Sequence, residues 1–108
     1  MSPAQFDAVV KVVKLVCAHF HLTPDQLESS SRRQEFVWPR YIAISLIRHR
    51  THLNLNTVGI LFNRSPYLVL HAARAVETSV QTNRARAREV ALISQQLDTL
   101  LSPPQYEI

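Results

Sequence analysis

Glycine is almost missing from this chain, with one residue in 108. Hairpin turns repeatedly need residues that tolerate positive φ, so the scarcity of glycine argues against a strand-rich fold and favours helices. Cysteine is equally scarce, and the lone Cys17 has no partner for a disulfide within the chain. Because Cys17 falls on the apolar face of the first amphipathic segment, we interpret it as a core residue in a reducing, cytoplasmic setting.

Long hydrophobic runs are missing as well. No segment approaches the roughly 20 consecutive apolar residues of a membrane span. The first residues also lack the charged region and the unbroken apolar stretch of a secretory signal. We therefore expect a soluble, cytoplasmic protein with no membrane partner.

Patterns typical of enzymes and metal sites do not occur either. The chain has no glycine-rich phosphate loop, no evident pair of carboxylates, and no Ser-His-Asp or Cys-His arrangement that spacing would specify. Among its five histidines, His49 and His52 have no carboxylate or cysteine nearby at ligand spacing. We predict that the chain is not an enzyme and that it binds neither a cofactor nor a metal ion.

Apolar content and positive charge are the features that the chain does have. A chain of 108 residues with 46% apolar content can bury one core but not two, which predicts a single domain over residues 1–108. Twelve Lys and Arg residues against eight Asp and Glu residues give a net charge of +4, which suits a nucleic-acid partner. RNA is disfavoured because the chain lacks the interleaved aromatic residues of a stacking platform.

Apolar residues recur at helical spacing along most of the chain, which predicts an all-α, compact helical bundle. Ser2-Pro3, Thr23-Pro24 and Ser65-Pro66 each place a capping residue before a proline, as at a helix start. Helices are predicted at about 3–20, from Pro24, at 34–50, at 57–62, from Pro66, and at 84–101, the last ended by Pro103-Pro104. Pro39 is tolerable if it lies in a first turn. The tight turn at Asn63-Arg64 predicts a helix-turn-helix over about 56–82, whose second helix is the recognition helix.

The same periodicity predicts the core and the role of the last helix. It turns inward Val9, Val13, Val16, Phe20, Ile44, Ile47, Val58, Leu61, Phe62, Val69 and Val76. It also places Phe6, Val80 and Leu100 on the apolar faces of their helices. The last helix either folds back onto this core or pairs with a second copy in a homodimer. We favour a folded-back helix and a monomer, because so short an apolar seam is marginal for a coiled coil.

The middle of the chain resembles the C-terminal DNA-binding domain of the bacterial replication initiator DnaA. The residues that carry the resemblance are Arg32, the string Trp38-Pro39-Arg40-Tyr41-Ile42-Ala43, Thr51, Leu55, Val58-Gly59, Phe62, Arg64, and Val69-Leu70-His71-Ala72. Their order and spacing both agree with that family. The resemblance implies a fold shared with the Trp repressor and double-stranded DNA as the ligand.

One stretch departs from the family pattern. After the phenylalanine, the family signature runs Gly-Gly-Arg-Asp-His and then two Ser or Thr residues, which read base edges. This chain has Asn63-Arg64-Ser65-Pro66-Tyr67-Leu68 there, one residue shorter, so the base-reading Asp, His and Thr are missing. The resemblance therefore implies DNA binding with altered or reduced sequence specificity, in a replication- or transcription-related role.

Five arginines are candidates for phosphate contacts, because forked cations at the rim of a recognition surface suit phosphate groups. They are Arg32, Arg33, Arg40, Arg48 and Arg64. By resemblance, Arg32 matches an arginine that enters the minor groove and Arg48 matches a basic residue on a phosphate. Solvated surface charge is the alternative, and it remains equally open for Arg33, Arg40 and Arg64. Asn56 matches a position near the DNA backbone, although a helix cap explains it equally well.

Four residues at the start of the recognition helix are candidates for contacts with base edges or phosphates: Ser65, Tyr67, Leu68 and His71. A serine bonds a base edge or a phosphate, a tyrosine hydroxyl bonds a phosphate, and a leucine meets a thymine methyl. Capping favours a structural role for Ser65, while packing and DNA contact are both open for the other three. A protein-interaction module that has lost base readout is the alternative function, because this tip is more apolar than in the family.

Overall fold

The computed structural model describes residues 1–101, which form six helices and no strand. The helices are α1 (Pro3–Phe20), α2 (Pro24–Glu28), α3 (Gln34–Thr51), α4 (Leu55–Phe62), α5 (Pro66–Thr82) and α6 (Arg84–Leu101). The all-α prediction is confirmed, and the predicted helix positions agree within one or two residues. The predicted stop at Pro103-Pro104 lies outside the described residues. None of the described helices has both the length and the apolar character that crossing a membrane requires.

Short polar side chains begin most of the helices. Ser2 and Thr23 each form a capping box with the glutamine three residues later, directly before the prolines that open α1 and α2. The Asn54 side chain accepts a hydrogen bond from the Thr57 amide at the start of α4. Capping thus fixes the helix starts locally, which is why sequence predicts them well.

Three helices end on residues in the left-handed conformation that glycine usually provides. The φ angles are 57° at His21, 56° at His52 and 52° at Asn63. Each of these residues is the C-cap of its helix, and its amide donates to a carbonyl in the last turn. Histidine and asparagine thus take the place of glycine at the ends of α1, α3 and α4. This explains why a chain of six helices needs so little glycine.

Helix α3 is the centre of the fold. It packs against α1, α2, α4 and α5, and ten of its 18 residues are buried. This agrees with a sequence that is apolar on nearly every side of the helix. Pro39 lies in the second turn rather than the first, so it removes the hydrogen bond that Glu35 O would accept. That carbonyl belongs to an exposed residue near the helix start, so the missing donor does not leave a buried polar group unpaired.

Most of the predicted core residues are buried. Val9, Val16, Ile44, Ile47, Val58, Phe62, Val69 and Val76 are all buried, while Val13, Phe20 and Leu61 are half-buried and pack against them. Three apolar-face assignments are wrong, because Phe6, Val80 and Leu100 are 59%, 37% and 48% exposed. Each of the three lies in the first or last two turns of its helix.

Helix α6 folds back onto the rest of the chain, as expected. It packs against α1 and α5, and Ile93 and Leu97 are completely buried within the chain. Glu89 fixes its first half: Oε1 accepts a hydrogen bond from Trp38 Nε1 at 2.8 Å, and Oε2 lies 3.3 Å from His19 Nε2. The Arg86 guanidinium stacks over the Trp38 ring at 4.3 Å from its centre. These contacts set the position of α6 against α1 and α3.

Candidate nucleic-acid interface

The turn between α4 and α5 forms a tight helix-turn-helix. Asn63 closes α4 in the left-handed conformation, and the Arg64 amide then donates to Gly59 O at 2.8 Å. The only glycine of the chain is needed here, because a Cβ atom on Gly59 would lie 2.5 Å from Arg64 O. The backbone of the turn therefore rests directly against α4 and fixes the angle at which α5 leaves.

Helix α5 begins with a capped turn. The Ser65 hydroxyl accepts a hydrogen bond from the Leu68 amide at 3.2 Å, and Pro66 occupies the first helical position. The capping interpretation of Ser65 is therefore confirmed. The Ser65 hydroxyl oxygen already accepts a hydrogen bond from the helix backbone, so it has less capacity left to bond a base edge.

One side of α5 faces outward and carries the polar and aromatic groups of the recognition helix. Tyr67 is 83% exposed, and His71 and Arg74 are exposed on the same side, spaced by four and three residues. Leu68 is half-buried at the edge of this surface. Tyr41 of α3 supports His71 from behind, with the two rings edge to face at 5.8 Å. We call Tyr67, His71 and Arg74 the outer face of α5.

A groove of about 730 Å³ runs along one side of this outer face, between α5 and the loop that joins α2 to α3. Its lining includes Ser30, Ser31, Arg32, Arg64 and Leu68, and we call it the loop groove. Arg32 is exposed at its edge, as a mobile cation for a phosphate or a minor groove would be.

Arg33 is exposed just beyond the loop groove, at the N-cap position of α3. Its Nε lies 3.0 Å from Glu35 Oε1, with both side chains more than half exposed. Solvent screens such a pair, so it holds the arginine only weakly. Arg33 thus lies near Arg32, but the carboxylate of Glu35 partly offsets its positive charge.

Arg40 has a different place from the one that a direct phosphate contact requires. It is only 4% exposed, and its guanidinium donates to Leu27 O at 2.8 Å, Ser31 O at 3.2 Å and the Ser29 hydroxyl at 3.5 Å. Burial, with the nearby charge of Arg64 as the second cause, lowers the pKa of Arg40. With all three nitrogens engaged inside the protein, Arg40 positions the loop, and the structure gives no support to direct DNA contact by it.

Arg64 also turns inward. Its guanidinium donates to Phe62 O at 3.0 Å and Asn63 O at 3.3 Å within the turn, and to Ser29 O across the loop groove. The side chain is half-buried, so part of it still lines the groove.

A second groove of about 650 Å³ lies on the opposite side of the outer face, between the end of α3 and the middle of α5. Its lining includes Arg48, His49, His52, Asn54 and Arg74, and we call it the α3–α5 groove. Arg48 is half-buried here. Sequence reasoning missed Arg74, although its place three residues after His71 on an amphipathic helix was a usable signal.

Asn56 lies on the exposed surface of α4, in the first turn of that helix. The capping explanation for Asn56 is wrong, because Asn54 supplies the side-chain cap. Asn56 therefore remains a surface amide close to the α3–α5 groove, which Asn54 lines.

The arrangement fits a double-stranded polyanion. The outer face of α5 lies between two grooves that each contain arginines, and the major groove of B-DNA, about 12 Å wide, admits one helix between its phosphate strands. Within residues 1–101, no three His, Cys, Asp or Glu side chains are grouped so as to hold a metal ion.

Comparison with known proteins agrees with this geometry. The family model of the bacterial DnaA protein helix-turn-helix matches residues 9–76. The chain is 36% identical over 72 residues to the chromosomal replication initiator protein DnaA of Desulfatibacillum aliphaticivorans. This alignment covers 67% of this chain and 16% of the relative. It is also 33% identical over 85 residues to the chromosomal replication initiator protein DnaA of Thermus thermophilus. That alignment covers 77% of this chain and 20% of the relative. This chain thus spans a fifth or less of these relatives. Because the matched segment contains all of α4 and most of α5, the chain belongs to the family of bacterial DnaA helix-turn-helix domains.

Proposed function

We propose that this domain binds double-stranded DNA with α5 in the major groove and that it has altered or reduced sequence specificity. One observation carries the proposal: the outer face of α5 lies between two arginine-lined grooves, which supports contacts to a phosphate strand on each side of the helix. Family membership supports DNA binding as such. The positive net charge adds attraction for any duplex.

The proposed contacts divide between the two grooves. Arg32 holds the DNA backbone or the minor groove from the loop groove, while Arg48 and Arg74 hold phosphates from the α3–α5 groove. Arg33 and Asn56 add weaker contacts at the two edges, because both are exposed and neither lines a groove. Such contacts orient the protein on the duplex but carry no sequence information by themselves.

Base readout in this proposal depends on Tyr67 and His71. The Ser65 hydroxyl caps α5, Pro66 has no donor, and Leu68 is half-buried and offers only a methyl contact. Each good bidentate contact discriminates by about 1 to 3 kcal/mol, so losing two or three at the low end removes roughly 2 to 3 kcal/mol. That corresponds to a loss of about 30- to 150-fold in preference for the initiator's own sequence.

A competition titration at fixed salt tests this function. The labelled probe is a mixed-sequence duplex, and the competitors are the duplex preferred by the related initiator and a scrambled duplex of equal length. We expect measurable binding of the probe and less than about a hundredfold preference for the initiator duplex. A larger preference would contradict the specificity proposal, because it would require base-reading groups other than Tyr67 and His71.

Absence of binding to any duplex at low salt would contradict DNA binding itself. In that case the apolar tip of α5 would favour the alternative, a protein-interaction module, because Tyr67 is 83% exposed. A complex with a protein that persists at high salt would then identify that function. A role in replication or transcription is proposed for the domain as part of a larger system, since the chain spans only 16% and 20% of the two relatives described above.

A further inference from the structure

Two arginines tie the loop between α2 and α3 to the rest of the fold. Arg40 donates to this loop at Ser31 O and the Ser29 hydroxyl, and to the end of α2 at Leu27 O. Arg64 holds it from the helix-turn-helix, through Ser29 O. The two guanidinium groups therefore meet at Ser29, one on its hydroxyl and the other on its carbonyl.

This arrangement connects the loop to the turn that orients α5. The Arg64 amide is bonded to Gly59 O in α4, and its side chain is bonded to Phe62 O and Asn63 O before it reaches Ser29. A guanidinium has five N–H donors in a rigid fork, so one side chain can satisfy the turn and the loop at the same time. The loop and the turn are thereby held at a fixed separation across the loop groove.

The position of Arg32 follows from this arrangement. Arg32 is exposed and directly follows Ser31, whose carbonyl accepts the bond from Arg40. The backbone that carries Arg32 is thus fixed on one side, while its side chain remains available at the edge of the loop groove. Because this backbone is already fixed, binding of DNA pays a smaller entropic cost for ordering the loop.

We propose that Arg40 and Arg64 are positioning residues for DNA binding, which act by holding Arg32 at a fixed distance from α5. This inference rests on the proposed function. It assigns Arg64 an indirect role, so its removal weakens binding chiefly by releasing the loop that carries Arg32. Direct phosphate contact by Arg64 is the competing explanation.

A double-mutant cycle with charge-conserving variants separates the two explanations. Arg64→Lys keeps the charge, but one ammonium group cannot bond Phe62 O and Ser29 O in the same fork geometry. In the wild-type background we expect Arg32→Ala to weaken binding of a mixed-sequence duplex. In the Arg64→Lys background we expect the effect of Arg32→Ala to be smaller by at least about threefold.

Arg48→Ala is the matched control, because Arg48 lies in the α3–α5 groove on the other side of α5. Its effect should multiply with that of Arg64→Lys, since the two residues share no partner. Multiplicative effects for Arg32 and Arg64 as well would overturn the inference while leaving DNA binding intact. An Arg32→Ala variant that binds like wild type would also overturn it, whereas loss of all wild-type binding would contradict the proposed function instead.

A measurement on the free wild-type protein keeps the inference testable even if the variants fold poorly. Amide order parameters of residues 30–33 should approach those of a rigid backbone, about 0.85. Arg64→Lys should lower them toward the flexible range, below about 0.6, while those of α1 stay unchanged. Order parameters below about 0.6 in the wild-type loop would show that the two arginines do not hold it, and would overturn the inference.

Discussion

The Cα of Gly59 faces the carbonyl oxygen of Arg64 so closely that a Cβ atom on Gly59 would lie 2.5 Å from that oxygen. The obstacle is backbone in a capped turn, so it cannot rotate away as a flexible side chain would. This contact makes the one glycine of the chain a requirement of the helix-turn-helix.

Gly59→Ala should therefore destabilise the protein, although alanine is normally the better helix residue by about 1 kcal/mol. We expect a net loss of about 1 to 3 kcal/mol in the free energy of unfolding, because the turn has to shift away from α4. Urea denaturation followed by circular dichroism measures it. Ile60→Ala is the control, since Ile60 is 79% exposed and should change stability by less than about 0.5 kcal/mol. An equally stable Gly59→Ala variant would contradict the close approach.

Glu89 should contribute to stability through Trp38. Glu89→Ala leaves Trp38 Nε1 without the acceptor that it has at 2.8 Å, and we expect a loss of about 1 to 3 kcal/mol. Glu89→Gln keeps an oxygen acceptor and should lose less. Chemical denaturation followed by the fluorescence of Trp38, the single tryptophan, reports on this site directly. Equal losses for the two variants would show that the hydrogen bond to Trp38 is not the important contact.

Leu97 should act within its own chain and not at a dimer interface. Leu97 is completely buried, so Leu97→Ala should cost about 2 to 5 kcal/mol of unfolding free energy. Leu92→Ala, at a residue that is 47% exposed on the same helix, should cost far less. Sedimentation should give a monomer for the wild-type chain. A tight dimer that dissociates into a folded monomer on Leu97→Glu would reverse this expectation.

Arg48 and Arg74 should each contribute to the salt dependence of DNA binding. Every phosphate neutralised adds roughly −0.9 to the slope of log affinity against log salt. Replacing either arginine by alanine should therefore make this negative slope shallower by about one unit. Arg32→Ala should do the same from the loop groove. Arg84→Ala is the control, because Arg84 is exposed at the start of α6 and lines neither groove. Slopes unchanged in all three variants would contradict the two-groove arrangement.

Cys17 should be protected from alkylation in the folded protein. Burial, and secondarily the charge of Glu28, raises the pKa of the Cys17 thiol. The Cys17 thiol therefore holds its proton more strongly in the folded protein than in the unfolded chain, where a thiol has a pKa of about 8.5. The stability that this difference contributes is fully present below the unfolded-state pKa. It is lost as the pH rises through the pKa of the thiol in the folded protein. Iodoacetamide labelling should be slow at neutral pH and accelerate with urea, and labelling as fast as that of a free thiol would contradict the burial of Cys17.

Local chemistry allowed the sequence to predict the helices. Ser2, Thr23 and Ser65 cap their helices with atoms only three residues away, so the signal lies within a short window. The left-handed ends at His21 and His52 were not predicted, because histidine is not a usual residue for that conformation. The start of α4 was predicted two residues too late, so Asn56 was considered for the cap position that Asn54 occupies.

The candidate site was predicted in part. Arg32 and Arg48 do lie at grooves on opposite sides of α5, and Tyr67 and His71 do face outward. Arg40 could not be recognised as a buried residue, because its partners lie at the end of α2 and on the loop that follows, up to 13 residues away. Arg74 was overlooked even though its helical spacing from His71 was visible.

Capping, helical periodicity and motif spacing act over short distances along the chain, so the fold class, the helix starts, most of the core and the family are readable from the amino-acid order alone. Which arginines face solvent and which hold the fold together depends instead on tertiary contacts. Arg32 and Arg40 are identical in chemistry and eight residues apart, yet one is exposed and the other is 4% exposed. The difference arises where α2, α3 and the helix-turn-helix meet, because only there do the carbonyls that bind Arg40 and Arg64 come together.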